Sequence, residues 1–108
     1  MIDEQVNRIR QLNDLARQTF MDCRVMITPG LQAMDGMDAV LRKVQQFDTF
    51  TPGNDPYGEH DFGSLLHAGE TIFWKFTYYD LDMTMHSLDP SDPAVTARVL
   101  TVMLAEEY

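Results

Sequence analysis

Apolar residues recur at helical spacing in two early segments of the chain. In residues 2–20 they lie three to five positions apart, which is typical of an amphipathic helix with one buried face. The second segment spans residues 37–47, and Asp35 is a suitable N-cap for it. The spaced apolar residues are Ile2, Val6, Ile9, Leu12, Leu15 and Phe20 in the first segment, and Met37, Val40, Leu41, Val44 and Phe47 in the second. The sequence therefore predicts two helices that pack against a core.

Three segments predict strands. Residues 24–28, "RVMIT", form a short strand that ends at Pro29-Gly30. The stretches "FGSLL" (62–66) and "TIFWKFTYY" (71–79) flank "HAGE" and predict a hairpin with a glycine-containing turn. Alternate residues in 71–79 fall on opposite faces, and both faces are substantially apolar. We therefore expect 71–79 to be a central strand that is covered on at least part of both sides.

Residues 80–108 predict the last elements of the fold. Residues 80–88 are either an edge strand or a loop. "DPSDP" then predicts the start of a last helix, with Asp89 or Asp92 as its cap and a proline at its first position. The apolar face of that helix would be Val95, Val99, Leu100, Met103 and Leu104. The predicted order α-β-α-β-β-α indicates an α+β fold, a small antiparallel sheet with helices packed on one side.

Length and composition fit a single domain over residues 1–108. The chain is 44% apolar and 10% aromatic, which is enough for one core. It has no apolar run long enough to span a membrane, and residues 1–10, "MIDEQVNRIR", do not resemble a secretory signal. Cys23 is the only cysteine, so an intrachain disulfide is excluded and a reducing cytoplasm is the expected setting.

The formal net charge of −9 is unevenly distributed. Residues 1–46 carry six Lys or Arg and six Asp or Glu, whereas residues 47–108 carry two and eleven. Such a surface repels DNA and RNA, because phosphate binding needs Lys and Arg to displace counterions. It would attract a basic partner. The alternative is that the charge only keeps a small protein soluble.

Several stretches of the chain resemble one bacterial family. They are "RVMITPG", "FDTFTPGNDPYGEHDFGS", "IFWKFTYYD" and "DPSDPAVTARVLTVMLAEEY", and the resemblance extends from about Ile9 to Tyr108. The family is domain-of-unknown-function family 3768, short single-domain proteins frequent on plasmids, phages and integrated elements. The resemblance implies no activity. It implies a cytoplasmic accessory protein that is carried by mobile DNA.

The stretch "NDPYGEHDFG", residues 54–63, concentrates polar side chains around turn-forming Pro and Gly. One interpretation is a loop held by its own hydrogen bonds, since Asn and Asp before Pro56 favour an Asx-turn. In such a loop His60 would pair with Glu59 or Asp61. A second interpretation is a surface that contacts a partner.

A third interpretation is a metal site in the same stretch. The carboxylates and the imidazole of Asp55, Glu59, His60 and Asp61 could hold a divalent cation. Asp80 and Asp82 would join them if the hairpin brought its two ends together. Such a site could activate water for phosphoester or amide hydrolysis. The spacing matches no recognised metal motif, however.

Other candidates have structural explanations. Lys75 lies among acids on the predicted central strand, where an ion pair with Glu59, Asp61 or Asp80 is expected. Trp74, Phe76 and Tyr78 are typical core residues. Exposed aromatics are expected instead at Phe50, Tyr57 and Tyr79, and exposed tyrosines commonly anchor interfaces.

These observations together favour a non-catalytic, acidic protein-interaction module. We expect it to inhibit or modulate a basic protein, one that handles nucleic acid or acts in host defence, and to need no cofactor. The acidic patch that would contact the partner is Asp48, Asp55, Tyr57, Glu59, His60, Asp61, Asp80 and Asp82. One alternative is a small metal-dependent hydrolase that uses the loop described above. Another is a homodimer formed through Met83, Met85 and the exposed face of the central strand.

Overall fold

The computed structural model describes residues 3–108 and has an α+β fold built on one four-stranded sheet. Ile2, expected to begin the first helix, lies outside the described residues. The elements are helix α1 (Glu4–Thr19), strand β1 (Arg24–Ile27), helix α2 (Pro29–Gln32), helix α3 (Met37–Gln45), and strands β2 (Phe62–His67), β3 (Glu70–Tyr79) and β4 (Ala97–Leu104), followed by a 3₁₀ turn (Ala105–Glu107). Within residues 3–108, no helix is both long enough and apolar enough to cross a bilayer.

The strand order is β1-β4-β3-β2. β2 and β3 form the predicted hairpin, whose turn residues Ala68 and Gly69 both have positive φ (52° and 80°). β3 lies between β2 and β4, so its predicted central position is confirmed. The sheet is mixed and not purely antiparallel as expected, because β1 runs parallel to β4.

The last helix predicted from the sequence is wrong, because Ala97–Leu104 is strand β4. In the "DPSDP" segment Asp92 accepts a hydrogen bond from the Ala94 amide (2.9 Å), but it caps a turn that leads into a strand and not the helix that was expected. Strand β4 is inserted between β1 and β3 and is buried on both faces, so its apolar residues are nearly continuous. Such a run does not distinguish a buried strand from a buried helix by spacing alone.

Helix α1 begins at an N-cap that the sequence chemistry explains. The Asp3 carboxylate accepts hydrogen bonds from the amides of Gln5 (2.9 Å) and Val6 (3.4 Å). For helix α3 the expected cap is wrong: Gly36, with φ of 83°, occupies that position in place of Asp35. Glycine is favoured there because positive φ strains residues that carry a Cβ atom.

The helices cover one face of the sheet, as expected. This face presents Ile72, Trp74, Phe76 and Tyr78 from β3 and Leu100, Val102 and Leu104 from β4, packed against Ile9, Ala16, Leu31, Val40 and Val44. Gly63 on β2 pairs with Trp74, and a Cβ atom at Gly63 would lie 2.3 Å from the indole Nε1. The missing side chain therefore makes room for the large core residue.

Among the described residues, no α-helix packs on the opposite face of the sheet. There the ring of Tyr108 packs against Phe62 and Phe73, with ring centroids 6.2 and 5.8 Å apart. The ammonium of Lys75 lies over the same ring, 5.1 Å from its centroid. Residues 80–88 form a loop, tied back to the sheet by a single bridge between Tyr79 and His86.

Candidate functional site

The stretch from Asp48 to Asp61 is a loop that its own side chains hold in shape. The Asn54 side chain accepts a hydrogen bond from the Thr51 amide (2.9 Å) and donates one to the Thr49 carbonyl (3.0 Å). The Asp55 carboxylate accepts from the His60 amide (3.1 Å). The His60 backbone has φ of 52°, a strained conformation for a residue with a Cβ atom. These contacts agree with the interpretation of a hydrogen-bonded loop.

His60 lies between two carboxylates, and one of them comes from a distant helix. Its Nδ1 is 2.8 Å from Oδ1 of Asp14 on α1, and its Nε2 is 3.5 Å from Oδ2 of Asp55. The imidazole stacks on the ring of Phe50, with centroids 3.6 Å apart and planes 4° from parallel. Asp14 also pairs with the buried guanidinium of Arg17 (3.3 Å). The expected pairing of His60 with Glu59 or Asp61 is therefore wrong.

This geometry favours a structural role for His60. A histidine that acts as a general base needs one ring nitrogen facing the substrate and the other held by an orienting group. Here each ring nitrogen faces a carboxylate. Its neighbour Phe50 was expected to be exposed but is half-buried. It is covered because its ring stacks on the imidazole and lies 5.4 Å from the Arg17 guanidinium.

A second cluster, the buried polar network, joins α1, the loop and two strands. Its members are Asn13, Glu59, Tyr78 and Arg98. The Tyr78 hydroxyl donates to Oε1 of Glu59 (3.0 Å), and Nδ2 of Asn13 donates to the Tyr78 oxygen (2.7 Å). The same Nδ2 donates to the Glu59 carbonyl (3.0 Å). Nε of Arg98 donates to Oδ1 of Asn13 (2.7 Å).

Burial controls the electrostatics of this network. It raises the pKa of the Glu59 carboxyl, an effect that the Tyr78 hydrogen bond partly opposes. It raises the pKa of Tyr78 far above its ordinary value, so the hydroxyl remains a donor at neutral pH. Burial also lowers the pKa of Arg98 from its ordinary value. A half-buried carboxylate and a buried guanidinium are thus linked through neutral Asn13 and Tyr78.

The remaining carboxylates of the acidic patch have different surroundings. Asp61 is half-buried, and burial raises its pKa. Asp80 folds the loop that follows β3 by accepting from the Thr84 amide (3.0 Å), and these hydrogen bonds lower its pKa. Asp48 and Asp82 are exposed. The patch is therefore divided between residues that shape loops and residues that face solvent.

The hairpin brings the acids that precede β2, Glu59 and Asp61, to the same end of the sheet as Asp80, which follows β3. The Phe76 amide donates to the Asp61 carbonyl (2.8 Å), and Glu59 reaches Tyr78, two positions before Asp80. Across residues 3–108, no three Asp, Glu, His or Cys side chains are arranged to share a metal ion. The ion pair expected for Lys75 is wrong, because Lys75 lies over the Tyr108 ring on the helix-free face.

Two open grooves flank the stacked rings of Phe50 and His60. One, of about 400 Å³, is also lined by Arg10 and Tyr57, and the other, of about 360 Å³, by Arg17. Tyr57 is 77% exposed, as the sequence predicts. The grooves are shallow surfaces suited to contact with another macromolecule more than to enclosure of a small substrate.

Comparison with known proteins agrees with the resemblance seen in the sequence. Searches of curated proteins and of solved structures found no match to this chain. A family model does match residues 27–107, from the end of β1 to the 3₁₀ turn. The matched region contains Glu59, His60, Tyr78 and Arg98. Asn13 and Asp14, which contact these residues from α1, precede the matched region. The chain thus belongs to the DUF3768 family of proteins of unknown function.

Proposed function

We propose that this protein is a non-catalytic binding module that docks a basic protein on its acidic patch. The observation that carries the proposal is the unbalanced charge of residues 47–108, which hold eleven acids and two basic residues. Both basic residues are engaged elsewhere: Arg98 is 5% exposed, and Lys75 lies over the Tyr108 ring. Neither of them pairs with the exposed carboxylates of this region, such as Asp48 and Asp82, which supports contact with a cationic partner.

Exposed apolar side chains near the patch support a protein partner over a simple counterion. Tyr57 is 77% exposed, and it is joined by large apolar residues of the loop after β3. Leu81 is 63%, Met85 70% and Leu88 100% exposed. Aromatic and methionine side chains next to polar groups are typical of protein interfaces, where they supply contact area while charges set orientation and association rate.

The proposed partner is a basic protein that handles nucleic acid or belongs to a host defence system. Spaced carboxylates can imitate the charge of a phosphate backbone, and binding would then inhibit or modulate the partner. Exposed Asp48 and Asp82 would contribute charge directly, whereas Asp55 and Asp80 would act by shaping their loops. We place this activity in the cytoplasm of a bacterium that carries the gene on mobile DNA. Direct nucleic-acid binding is not expected.

The test is capture from bacterial lysate with the wild-type chain and a variant that combines Asp48→Asn, Asp82→Asn and Tyr57→Ser. We expect the wild-type chain to capture a basic protein, which salt should release. The variant should fail to capture that protein. The matched control is Asp35→Asn with Asp38→Asn, which removes two exposed charges from the balanced half of the chain. Equal capture by wild type and patch variant would refute the proposal.

Metal analysis separates this function from the hydrolase alternative. A binding module is expected to purify without stoichiometric Mn, Zn or Mg. One equivalent of metal that disappears in His60→Ala would instead favour the hydrolase. Mass measurement in solution tests the homodimer alternative. A dimer that forms as the concentration rises, and that Met85→Asp disrupts, would support it.

A further inference from the structure

A partly enclosed cavity of about 280 Å³ lies beside the second half of α1, away from the loop that holds His60. The residues after α1 and the segment that leads into β4 complete its walls. Its lining is mainly apolar but includes two opposite charges. The apolar part of the lining includes Leu12, Leu15 and Met21, and the charged part is Asp22 and Arg98.

Arg98 is the unusual member of this lining because it is 5% exposed and lacks an anionic partner. Its Nε donates to Asn13, and Nη2 donates to the Pro90 carbonyl. The guanidinium also lies over the Tyr78 ring, 5.3 Å from its centroid. Among residues 3–108, Nη1 of Arg98 makes no hydrogen bond but is not one of the fully buried polar atoms, and no carboxylate lies within 4.0 Å of the guanidinium. Glu59 acts on it only at longer range, across Asn13 and Tyr78.

A buried guanidinium without a carboxylate is costly to the fold. Taking a charge out of water is unfavourable unless a counter-charge or a full set of hydrogen bonds replaces the lost hydration. Two neutral acceptors and the face of the Tyr78 ring compensate Arg98 in part, and the adjacent cavity leaves room for an anion. Arginine is also well suited to this role, because its planar donors match a carboxylate in two parallel hydrogen bonds.

We propose that this cavity binds a small carboxylic acid with a short apolar chain, whose carboxylate pairs with Arg98. Leu12, Leu15 and Met21 would bury the chain. The volume is slightly below that of drug-sized ligand sites, which limits the ligand to a small molecule. Asp22 also lines the cavity, and its negative charge opposes any anion there, a dianion such as phosphate more strongly than a monocarboxylate. This site is separate from the acidic patch and does not depend on the proposed function.

The test is a titration with hexanoate followed by ¹H–¹⁵N NMR, with hexan-1-ol and inorganic phosphate as comparison ligands. We expect saturable shifts at the lining residues and at the Arg98 Nε–H resonance. Hexan-1-ol cannot form the ion pair with Arg98. Because a hydrogen bond to a charged group contributes about 1.5 kcal/mol or more to binding, hexan-1-ol should bind at least roughly tenfold more weakly than hexanoate. Phosphate should bind more weakly than hexanoate. Equal affinity for hexanoate and hexan-1-ol, or the absence of saturable shifts, would overturn the proposal.

Variants test the site without disturbing the buried network. Leu15 is 55% exposed on α1, so Leu15→Glu should fold and place a negative charge on the cavity wall. We expect it to weaken hexanoate binding about tenfold or more. The control is Leu66→Glu on β2, which is 65% exposed and is not part of this lining. If both variants weaken binding equally, hexanoate does not occupy this cavity.

Discussion

Replacing Asn13 by alanine should destabilise the fold strongly, because one fully buried side chain connects three elements. Asn13 is 0% exposed and bonds to Tyr78, Glu59 and Arg98. After truncation, Arg98 Nε becomes a buried charged donor without an acceptor, which costs about 2–3 kcal/mol. The unpaired Glu59 carbonyl adds about 1 kcal/mol. Tyr78 keeps Glu59 as its acceptor, so the expected loss is about 3–4 kcal/mol in total.

Urea unfolding measures this loss directly. Trp74 is the only tryptophan and is fully buried, so its fluorescence reports the core. With an m-value of about 1–2 kcal/mol per molar urea for a domain of this size, the midpoint should fall by roughly 1.5–4 M. Gln11→Ala is the matched control on the exposed face of α1, and it should change stability by less than about 0.5 kcal/mol.

A double-mutant cycle with Tyr78→Phe tests the network itself. Removing the hydroxyl alone eliminates one hydrogen bond to Asn13 and one to Glu59. If the side chains act as a unit, the double variant should be less destabilised than the sum of the single variants by at least about 0.5 kcal/mol. Strict additivity, or a cost for Asn13→Ala below about 1 kcal/mol, would refute the reasoning.

Two further predictions concern packing and pH. Gly63→Ala should cost about 1–3 kcal/mol because its Cβ atom would press on Trp74, whereas Ser64→Ala next to it on β2 should be nearly neutral in the same urea assay. Burial raises the pKa of Glu59 and Asp61 above their ordinary 4.5 and 3.8. Their protonated forms therefore favour the folded state. This contribution to stability is fully present below the ordinary pKa values and is lost as pH rises through the raised pKa values. Glu59→Gln should therefore flatten the decline of the urea midpoint as pH rises above about 4.5, and an unchanged slope would contradict this explanation.

The sequence predicts the elements whose pattern is local. Helix α1 has a cap and a spaced apolar face, and the β2–β3 hairpin has a turn with a required glycine. Strand β4 could not be recognised in this way. Val99 and Thr101 do favour a strand, but burial on both faces removes the alternation that would identify one. Its parallel pairing with β1 also depends on residues about 75 positions apart, for which the sequence carries no direct signal.

The candidate site was only partly predictable for a similar reason. A loop held by Asn54 and Asp55 is the local prediction that agrees with the structure, but their side chains accept from the amides of Thr51 and His60 and not from the amide two residues on, as an Asx-turn requires. Asp14, the partner of His60, lies 46 positions away, so only the fold could identify it. Asn13 did leave a signal: it lies four positions after Ile9 and three before Ala16, on the buried stripe of α1. A polar residue in such a stripe indicates a buried hydrogen-bonding role.

The position of β4 also determines when the molecule can fold during synthesis. β1 pairs only with β4 in the described sheet, and β3 needs β4 along one whole edge. The strand translated last of the four is therefore an inner strand, and its absence leaves both neighbours with unsatisfied edges. A nascent chain that has not yet released residues 97–104 from the ribosome cannot close its core. We expect chains truncated before Ala97 to remain unfolded and to be degraded.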